Sequence, residues 1–258
     1  MSIPNVLCIS GHDPSGGAGL QADIEAVAAQ GCHAAGIITA LTRQDTRNAY
    51  AVTAIADDEF AAQLAILLED MAFSAIKLGL LGSVGQVRHI AHIAAEYSSI
   101  PLVLDPVLKA GGGAQLAQDP LAQAINDYLI PLATVITPNA AEARYLCQNE
   151  QNLDKCGRSL AARASWVLIT GGDEAGEQVV NTLYGPNGYE ASFEWPRLAH
   201  HYHGSGCTLA SAIAAQLARG ANPESAVQLA QEYTWRCLAR GFQPGRGQHI
   251  PDRLRHIP

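Results

Sequence analysis

Residues 6–41 read VLCISGHDPSGGAGLQADIEAVAAQGCHAAGIITAL. One short apolar run opens this stretch and another closes it, and each of them predicts a strand. Between them, Leu20, Ile24 and Val27 recur at helical spacing and predict an amphipathic helix. Gly31 is placed to end that helix. The stretch therefore predicts a strand, a helix and a second strand, which is the building unit of a parallel sheet.

The alternation of short apolar runs with amphipathic runs continues along the chain. Asp57 and Asp58 are predicted to cap a helix, and the Gly-Pro-Asn-Gly sequence at 185–188 predicts a hairpin between two flanking strands. The other predicted strands are 75–78, 102–105, 133–137 and 166–170, and the other predicted helices are 57–71, 83–97 and 208–219. This pattern predicts a single α/β domain over residues 1–258, with a mainly parallel central sheet and helices on both faces.

Composition and charge argue against several classes of partner, including nucleic acid and membranes. The chain has 258 residues, is 48% hydrophobic and carries a formal net charge of -8, so it can bury a full core but has no evident basic surface for nucleic acid. No run is apolar enough to span a bilayer and the start has no basic segment, so we expect a cytoplasmic protein that does not bind membranes. The six cysteines lack paired spacing, which predicts reduced thiols rather than disulfides or a zinc ribbon.

Gly204, Ser205, Gly206 and Cys207 stand directly before a helical run of small residues. We call residues 204–207 the anion turn, because the first N–H groups of a helix lack partners and carry partial positive charge. The two glycines let the backbone approach a phosphate closely. The same field is expected to lower the pKa of Cys207 and make it a plausible base. The alternative is a plain glycine turn with an ordinary buried thiol.

A glycine-rich loop at residues 11–19 follows the first predicted strand, and Gln21 and Asp23 lie on the helix after it. This loop can wrap a small ligand. Residues 17–22 formally match the G-x-G-x-x-A dinucleotide fingerprint, but they lie too far from the strand, and no acidic residue ends the second strand. A nicotinamide or flavin site is therefore a distant alternative. The chain has no G-x-x-x-x-G-K-[ST] sequence, which excludes a Walker-type loop.

Two further segments place oxygen ligands after predicted strands. Asn139 and Glu142 are three residues apart and share one face if a helix has begun, and Asp105 ends another strand. Carboxylate and amide oxygens suit hydrated Mg²⁺, which phosphoryl transfer usually requires. Taken alone, however, Asn139 and Glu142 are more typical of an ordinary helix N-terminus, and Asp105 of a turn that ends a strand.

The histidines at 200, 201 and 203 lie close to Cys207 and raise the alternatives of a metal site or a Cys-His hydrolase. Adjacent histidines do not reproduce a common zinc spacing, and no third member of a catalytic triad can be located. We therefore expect these histidines to be exposed or to pack within a loop.

Six motifs, in this order, resemble the ribokinase-like superfamily and specifically the hydroxymethylpyrimidine/phosphomethylpyrimidine kinases of thiamine biosynthesis. The likeness covers nearly the whole chain, and Cys207 stands where sugar kinases carry aspartate. The motifs are SGHDPSGGAGLQAD (10–23), TALTRQDT (39–46), IKLGLLGS (76–83), LDPV (104–107), TPNAAEA (137–143) and HGSGCT (203–208).

This resemblance implies a reaction and a set of partners. The reaction is phosphorylation of the hydroxymethyl group of 4-amino-5-hydroxymethyl-2-methylpyrimidine from MgATP, followed by a second phosphorylation that gives the diphosphate. The implied partners are the pyrimidine and ATP, and the implied assembly is a homodimer.

The resemblance also implies roles for individual residues. The anion turn would hold the transferring phosphoryl group, while Cys207 accepts or guides the hydroxyl proton. The implied pyrimidine-binding residues are Gly11, Asp23, Gln44, Leu80 and Val107, together with Cys207. The implied ATP-binding residues are Asp105, Asn139, Thr170 and Gly206, and the implied Mg²⁺ ligands are Asp105 and Glu142. The side-chain chemistry agrees, because the Gln44 amide offers a donor and an acceptor to an aminopyrimidine edge.

Besides Asn181 and Ser205, which replace a usual aspartate and a common threonine, three positions depart from the family pattern. Thr170 stands where a lysine is usual, and Asp173 stands where a histidine is usual. The missing lysine removes a positive charge near the ATP phosphates, so ATP affinity or turnover is expected to be low. Lys109 is shifted from the position at which the family often carries a lysine. The alternatives are a pyridoxal-type kinase and a non-catalytic pyrimidine-binding protein, and the loss of the lysine favours the second.

Overall fold

The computed structural model describes residues 3–108 and 119–255. These residues form one sheet of nine strands flanked by helices. The strands are β1 (Asn5–His12), β2 (His33–Gln44), β3 (Ala49–Ala54), β4 (Ala75–Leu78), β5 (Leu102–Leu104), β6 (Val135–Ile136), β7 (Trp166–Ile169), β8 (Gln178–Tyr184) and β9 (Glu190–Pro196). The helices are α1 (Gly19–Ala29), α2 (Asp57–Asp70), α3 (Val84–Glu96), α4 (Asp119–Ala124), α5 (Ala140–Leu146), α6 (Leu153–Ala161), α7 (Ser205–Ala218) and α8 (Pro223–Ala239).

The strand order is β3-β2-β1-β4-β5-β6-β7-β8-β9, and the six central strands from β2 to β7 are parallel. The edge strands β3, β8 and β9 pair in the antiparallel sense. The chain runs from β1 to β2 on one side and then returns to place β4 on the other side of β1. Such a reversal of strand order opens a crevice at the carboxyl ends of the strands, where ligands bind in open α/β sheets.

Both faces of the sheet are buried because successive residues of a strand point to opposite sides. In β1, Leu7 and Ile9 join one apolar cluster, and Val6 and Cys8 join the other. Helices α2 to α6 cover the first cluster, and α1, α7 and α8 cover the second. The predicted α/β class, the mainly parallel sheet and the helices on both faces are therefore confirmed.

The β8–β9 hairpin is confirmed, as are the predicted strands and most helix boundaries to within a few residues. Three details of the prediction are wrong. Strand β3 was not predicted. Ala56 is the N-cap of α2, so Asp57 and Asp58 lie in its first turn and do not cap it. Ile24 is 41% exposed, and the buried face of α1 instead carries Asp23 and Ala26.

All six cysteines are free thiols, as predicted. No helix in the described part of the chain is long and apolar enough to cross a membrane. Lys109 lies outside the described residues.

Candidate active site

The candidate site lies at the carboxyl ends of the central strands. On the face covered by α7, the strands β1, β5 and β6 lead into Ser10, Asp105 and Thr137. Each of these side chains is buried, and each has an oxygen that no described residue hydrogen-bonds. An unpaired buried polar atom costs about 1–3 kcal/mol, so a row of them indicates a place where a ligand or water completes the bonding.

A fully buried ion pair lies beneath this row. Lys77 of β4 places Nζ 2.7 Å from Oδ1 of Asp23 on α1, and both side chains are inaccessible to solvent. The hydroxyl of Ser211 on α7 donates to the same oxygen at 2.8 Å. Oδ2 of Asp23 has no partner among the described residues. One oxygen of Asp23 is thus held from two sides while the other remains available to a ligand.

Lys77 is the buried positive charge of this centre. Burial alone would lower its pKa, but the carboxylates of Asp23 and Asp105 raise the pKa above its usual range, so the ammonium stays protonated. Gly79 leaves the space that Lys77 needs. A Cβ at Gly79 would lie 2.7 Å from the Lys77 Nζ and 2.3 Å from the Ser10 Oγ.

Cys207 differs from the sequence prediction. Burial raises its pKa to about 12, and the charge of Lys77 offsets this only in part. The expectation that the start of the helix would lower the pKa of Cys207 is therefore wrong, because loss of solvent and nearby carboxylates outweigh the helix field. The thiol lies near the Asp105 carboxylate and lowers the pKa of that group. Burial raises the pKa of Asp105 to about 6, while Lys77 holds it below the value that burial alone would give.

The anion turn has the predicted geometry at the start of a helix. Gly204 is the N-cap of α7 with φ +83°, a left-handed conformation that favours glycine, and α7 begins at Ser205 rather than at residue 208. A Cβ on Gly206 would lie 3.8 Å from both carboxylate oxygens of Asp105. The first turn of α7 therefore lies beside Asp105, at the carboxyl end of β5.

Four of the predicted pyrimidine residues, Gly11, Gln44, Leu80 and Val107, lie at or just after the ends of the neighbouring strands β1, β2, β4 and β5. The side chain of Leu80 packs against Gly11, where a Cβ would lie 2.8 Å from Cδ2 of Leu80. Leu80 is buried, and Val107 is half-buried beyond β5. Gln44 ends β2, and an open cavity of about 460 Å³ lies next to it, lined by Pro14, Ser15, Gln44, Asp45, Thr46, Arg47, Gly245 and Arg246.

His203 connects Gln44 to the glycine-rich loop. Its Nε2 lies 2.8 Å from Oδ2 of Asp13 and 2.6 Å from Nε2 of Gln44. One ring nitrogen cannot donate to Asp13 and accept from Gln44 at once, so the two contacts compete. Burial would raise the pKa of Asp13, but hydrogen bonds from His203 and Ser15 lower it below the ordinary value. His200 and His201 are exposed as expected, whereas His203 is part of the site.

The predicted nucleotide residues lie after β6 and β7. Asn139 caps α5, and its side chain accepts from the Glu142 N–H while the Glu142 carboxylate accepts from the Asn139 N–H, which is a capping box. Thr170 pairs with Asn139 in an isolated bridge. Asn139 and Glu142 therefore have the ordinary helix-capping role that the sequence offered as the alternative.

Glu142 and Asp105 also form an acidic pair. Burial, with the charge of Asp105, raises the pKa of Glu142 to about 8. Asp173, at the position where the family carries histidine, adds a further negative charge. The unpaired Oδ2 of Asp105 and the nearby Glu142 carboxylate supply the oxygen ligands that suit Mg²⁺. The described residues contain no group of three or more His, Cys, Asp or Glu side chains arranged for a metal.

Sequence reasoning missed Lys77, Ser211 and the contacts of His203. Lys77 stands inside an otherwise apolar strand, and a lysine at a fully buried position is rare unless paired. That signal marks Lys77 as unusual, but it does not identify Asp23 as the partner.

The comparisons with known proteins agree with one another. Residues 13–252 match the model of the family described as phosphomethylpyrimidine kinase. A hydroxymethylpyrimidine/phosphomethylpyrimidine kinase of Streptomyces coelicolor is 35% identical over 95% of this chain and 92% of its own.

Two solved structures extend the likeness to three dimensions. The ADP complex of a Bacillus subtilis pyridoxal kinase has a TM-score of 0.90 at 30% identity and covers 98% of both chains. A Clostridium difficile phosphomethylpyrimidine kinase has a TM-score of 0.77 at 33% identity and covers 90% of this chain and 98% of its own.

Proposed function

The chain belongs to the phosphomethylpyrimidine kinase family, and on that premise we propose how its site carries out the family's reaction. The enzyme is a phosphotransferase of thiamine biosynthesis. It phosphorylates 4-amino-5-hydroxymethyl-2-methylpyrimidine and then the resulting monophosphate, with ATP as the donor. The observation that carries the assignment of the site is the buried Lys77–Asp23 pair together with Asp105, whose unpaired Oδ2 lies beside the anion turn.

The pyrimidine binds between the glycine-rich loop and the carboxyl end of β4. The free Oδ2 of Asp23 accepts a hydrogen bond from the pyrimidine, and Leu80 with Val107 supplies apolar walls. The Gln44 amide binds the polar edge of the ring. For this, Gln44 exchanges its contact with His203 for one to the ligand, and His203 then keeps Asp13 as its partner.

The hydroxyl of the pyrimidine loses its proton toward Cys207. With a pKa of about 12, Cys207 is a neutral thiol at pH 7, so it does not act as a preformed thiolate base. It lies beside Asp105, whose pKa of about 6 leaves it mostly ionised at pH 7. The thiol passes its own proton to Asp105 as its sulfur accepts the hydroxyl proton. The N–H groups of the anion turn stabilise the charge on the transferring phosphoryl group.

Asp105 and Glu142 would hold Mg²⁺, and the ion would supply neutralisation of the ATP phosphates. Asn139, Thr170 and Gly206 line the path of the nucleotide from the ends of β6 and β7 to the anion turn. This half of the site binds the nucleotide through backbone and hydroxyl groups, since Thr170 replaces the usual lysine.

We further propose that the chain acts as one domain, as a homodimer and in the cytoplasm. The continuous sheet from β3 to β9 supports a single folding unit, because its strands come from residues 5–196 and the later helices α7 and α8 pack against it. Size-exclusion chromatography with light scattering tests the dimer, and a mass of one chain would exclude it.

The decisive experiment measures ADP release with MgATP in the presence of hydroxymethylpyrimidine, its monophosphate, or no pyrimidine. Release with both pyrimidines, and none without them, is the expected result. Pyrimidine binding without ADP release would assign a binding protein on a kinase scaffold. Pyridoxal belongs in the same assay, because the Bacillus subtilis pyridoxal kinase shares the fold over 98% of both chains. A higher kcat/KM for pyridoxal than for the pyrimidine would make pyridoxal the substrate.

A further inference from the structure

We propose that Arg253 is a positioning residue that fixes the anion turn against the glycine-rich loop. Arg253 follows the last helix by 14 residues and is fully buried, although it carries a positive charge. The proposal rests on the proposed role of the anion turn in phosphoryl transfer. The experiments therefore separate failure of that role from failure of Arg253 to hold the anion turn against the glycine-rich loop.

The guanidinium group of Arg253 joins three separate segments. Its Nε donates to the Thr208 hydroxyl on α7 at 2.8 Å, and Nη1 lies 3.0 Å from Oε2 of Glu25 on α1. Its Nη2 donates to the carbonyl of Gly17 in the glycine-rich loop. The planar group presents several N–H donors in fixed directions, which is why one side chain can bind all three.

The Thr208 hydroxyl carries this restraint to the anion turn. Arginine can only donate, so Thr208 accepts from Arg253 and uses its single proton to donate to the Gly204 carbonyl at 2.7 Å. Gly204 is the left-handed N-cap of α7. The direction of both hydrogen bonds is therefore fixed, and the orientation of the first turn of α7 depends on Arg253.

Gly17 and Gly204 are in direct backbone contact. A Cβ on Gly204 would lie 1.9 Å from the Gly17 carbonyl oxygen and 2.8 Å from the Arg253 Nη2. The same guanidinium binds the Gly17 carbonyl and, through Thr208, the Gly204 carbonyl. The side chain of Arg253 thus holds the glycine-rich loop and the anion turn together, and we call this set of contacts the clamp.

The chain end that carries Arg253 is itself held firmly. The Asp252 N–H donates to the Cys237 carbonyl at 3.0 Å, and the Tyr233 hydroxyl donates to the Arg253 carbonyl at 3.0 Å. Both partners lie on α8, a helix of 17 residues that packs against α7. Arg253 is therefore anchored to a long helix, so the clamp does not depend on a loose chain end.

The test compares Arg253→Lys and Arg253→Met with Arg255→Met. Arg255 is the matched control because it is two residues away and its side chain is 79% exposed. Kinetics are measured at a temperature where each variant is shown to be folded. We expect Arg253→Lys to lower kcat by about 10- to 100-fold, with the pyrimidine KM changed less than about threefold, because misplacing a catalytic group by about 1 Å has effects of this size. Arg255→Met should retain the wild-type kcat.

Two further variants keep the proposal testable if Arg253→Met does not fold. Thr208→Val removes only the hydroxyl link, and it should lower kcat in the same direction. Combined with Arg253→Lys, its effect should be less than additive, because both changes break one connection. A folded Arg253→Lys variant with wild-type kcat would overturn the proposal, as would strict additivity.

Hydrogen exchange gives a readout that does not depend on catalysis. In Arg253→Lys we expect faster exchange of the amides at 204–208, with unchanged exchange in the middle of α8. If the wild type releases no ADP, the proposed function fails, and the exchange rates alone still decide the clamp. Unchanged exchange at 204–208 would show that Arg253 does not hold the anion turn.

Discussion

The pyrimidine half of the site and the nucleotide half differ in how their charges are balanced. The only two buried cations among the described residues, Lys77 and Arg253, both contact α1 on the pyrimidine side. On the nucleotide side, Asp105 and Glu142 are buried acids with raised pKa values, and Thr170 brings no charge. The pyrimidine half is neutralised by the protein, whereas the buried acids of the nucleotide half are offset only in part, by Lys77.

This difference in charge balance predicts that the pyrimidine and ATP are bound in different ways. Built-in ion pairs fix side chains before the ligand arrives, so the pyrimidine half is preorganised. At pH 7 and without a cation, Glu142 is mostly protonated, and we expect Mg²⁺ to displace that proton as the nucleotide half binds ATP.

Breaking the ion pair of the pyrimidine half should have the greatest effect. Lys77→Met leaves Asp23 charged and buried without its cation, and we expect the free energy of unfolding to fall by about 3–5 kcal/mol. Urea denaturation at pH 7 measures this loss. Lys155→Met removes an exposed partner of Glu150 and is the control, with an expected change below about 1 kcal/mol. A loss for Lys77→Met no larger than the control would refute preorganisation by this pair.

Cys207 stands where the two halves meet, and its removal should act on turnover. Cys207→Ala is expected to lower kcat by about 10²- to 10³-fold with little change in pyrimidine KM, as for a group that acts mainly in the transition state. Steady-state kinetics check this, and Cys147→Ala, at another half-buried thiol, is the control. A raised KM with unchanged kcat would assign Cys207 to substrate binding alone.

The acidic nucleotide half should make stability depend on pH. Glu142 has a pKa of about 8 in the folded chain against 4.5 in the unfolded one. The folded state therefore holds more protons in this interval, and its stability falls as pH rises from about 4.5 to 8. Urea denaturation over this range, without added metal, should show a smaller fall for Glu142→Gln than for the wild type.

Glu150→Gln, at an exposed carboxylate, should leave that pH dependence unchanged. Excess Mg²⁺ should restore stability at the high end of the range if the two acids bind the ion. Identical pH profiles for the wild type and Glu142→Gln would mean that the nucleotide half is not a site of uncompensated charge.

The smallest effect should come from supplying the missing charge. Thr170→Lys is expected to lower the KM for ATP by about two- to fivefold, the range of one partly exposed charge interaction. Initial rates at varied ATP concentration measure it, and Ser159→Lys on the exposed surface of α6 is the control. An unchanged or higher KM would show that position 170 does not face the phosphates.

Much of the fold could be predicted because its elements are local patterns. Strand β4 is a four-residue apolar run apart from Lys77, and Ser83 caps α3 as a serine before a periodic run should. Strand β3 was missed because it is a largely exposed edge strand whose partner is β2, so its own residues carry little apolar signal. Ile24 was misplaced because Asp23 and Ala26 share the buried face of α1 with Leu20 and Val27, and the spacing of apolar residues alone does not reveal a buried aspartate.

The sequence by itself determined the order of the elements and the family, because alternating strand and helix patterns and six motifs are local. It also located the anion turn, since glycines before a helix are visible in the chain. Only the tertiary structure decided which groups the buried charges contact. Lys77 pairs with Asp23 across 54 residues, and Arg253 binds the Gly17 carbonyl across 236. It also reversed the expected pKa shift of Cys207. Ion pairs and pKa values depend on distance and burial, and packing alone sets both.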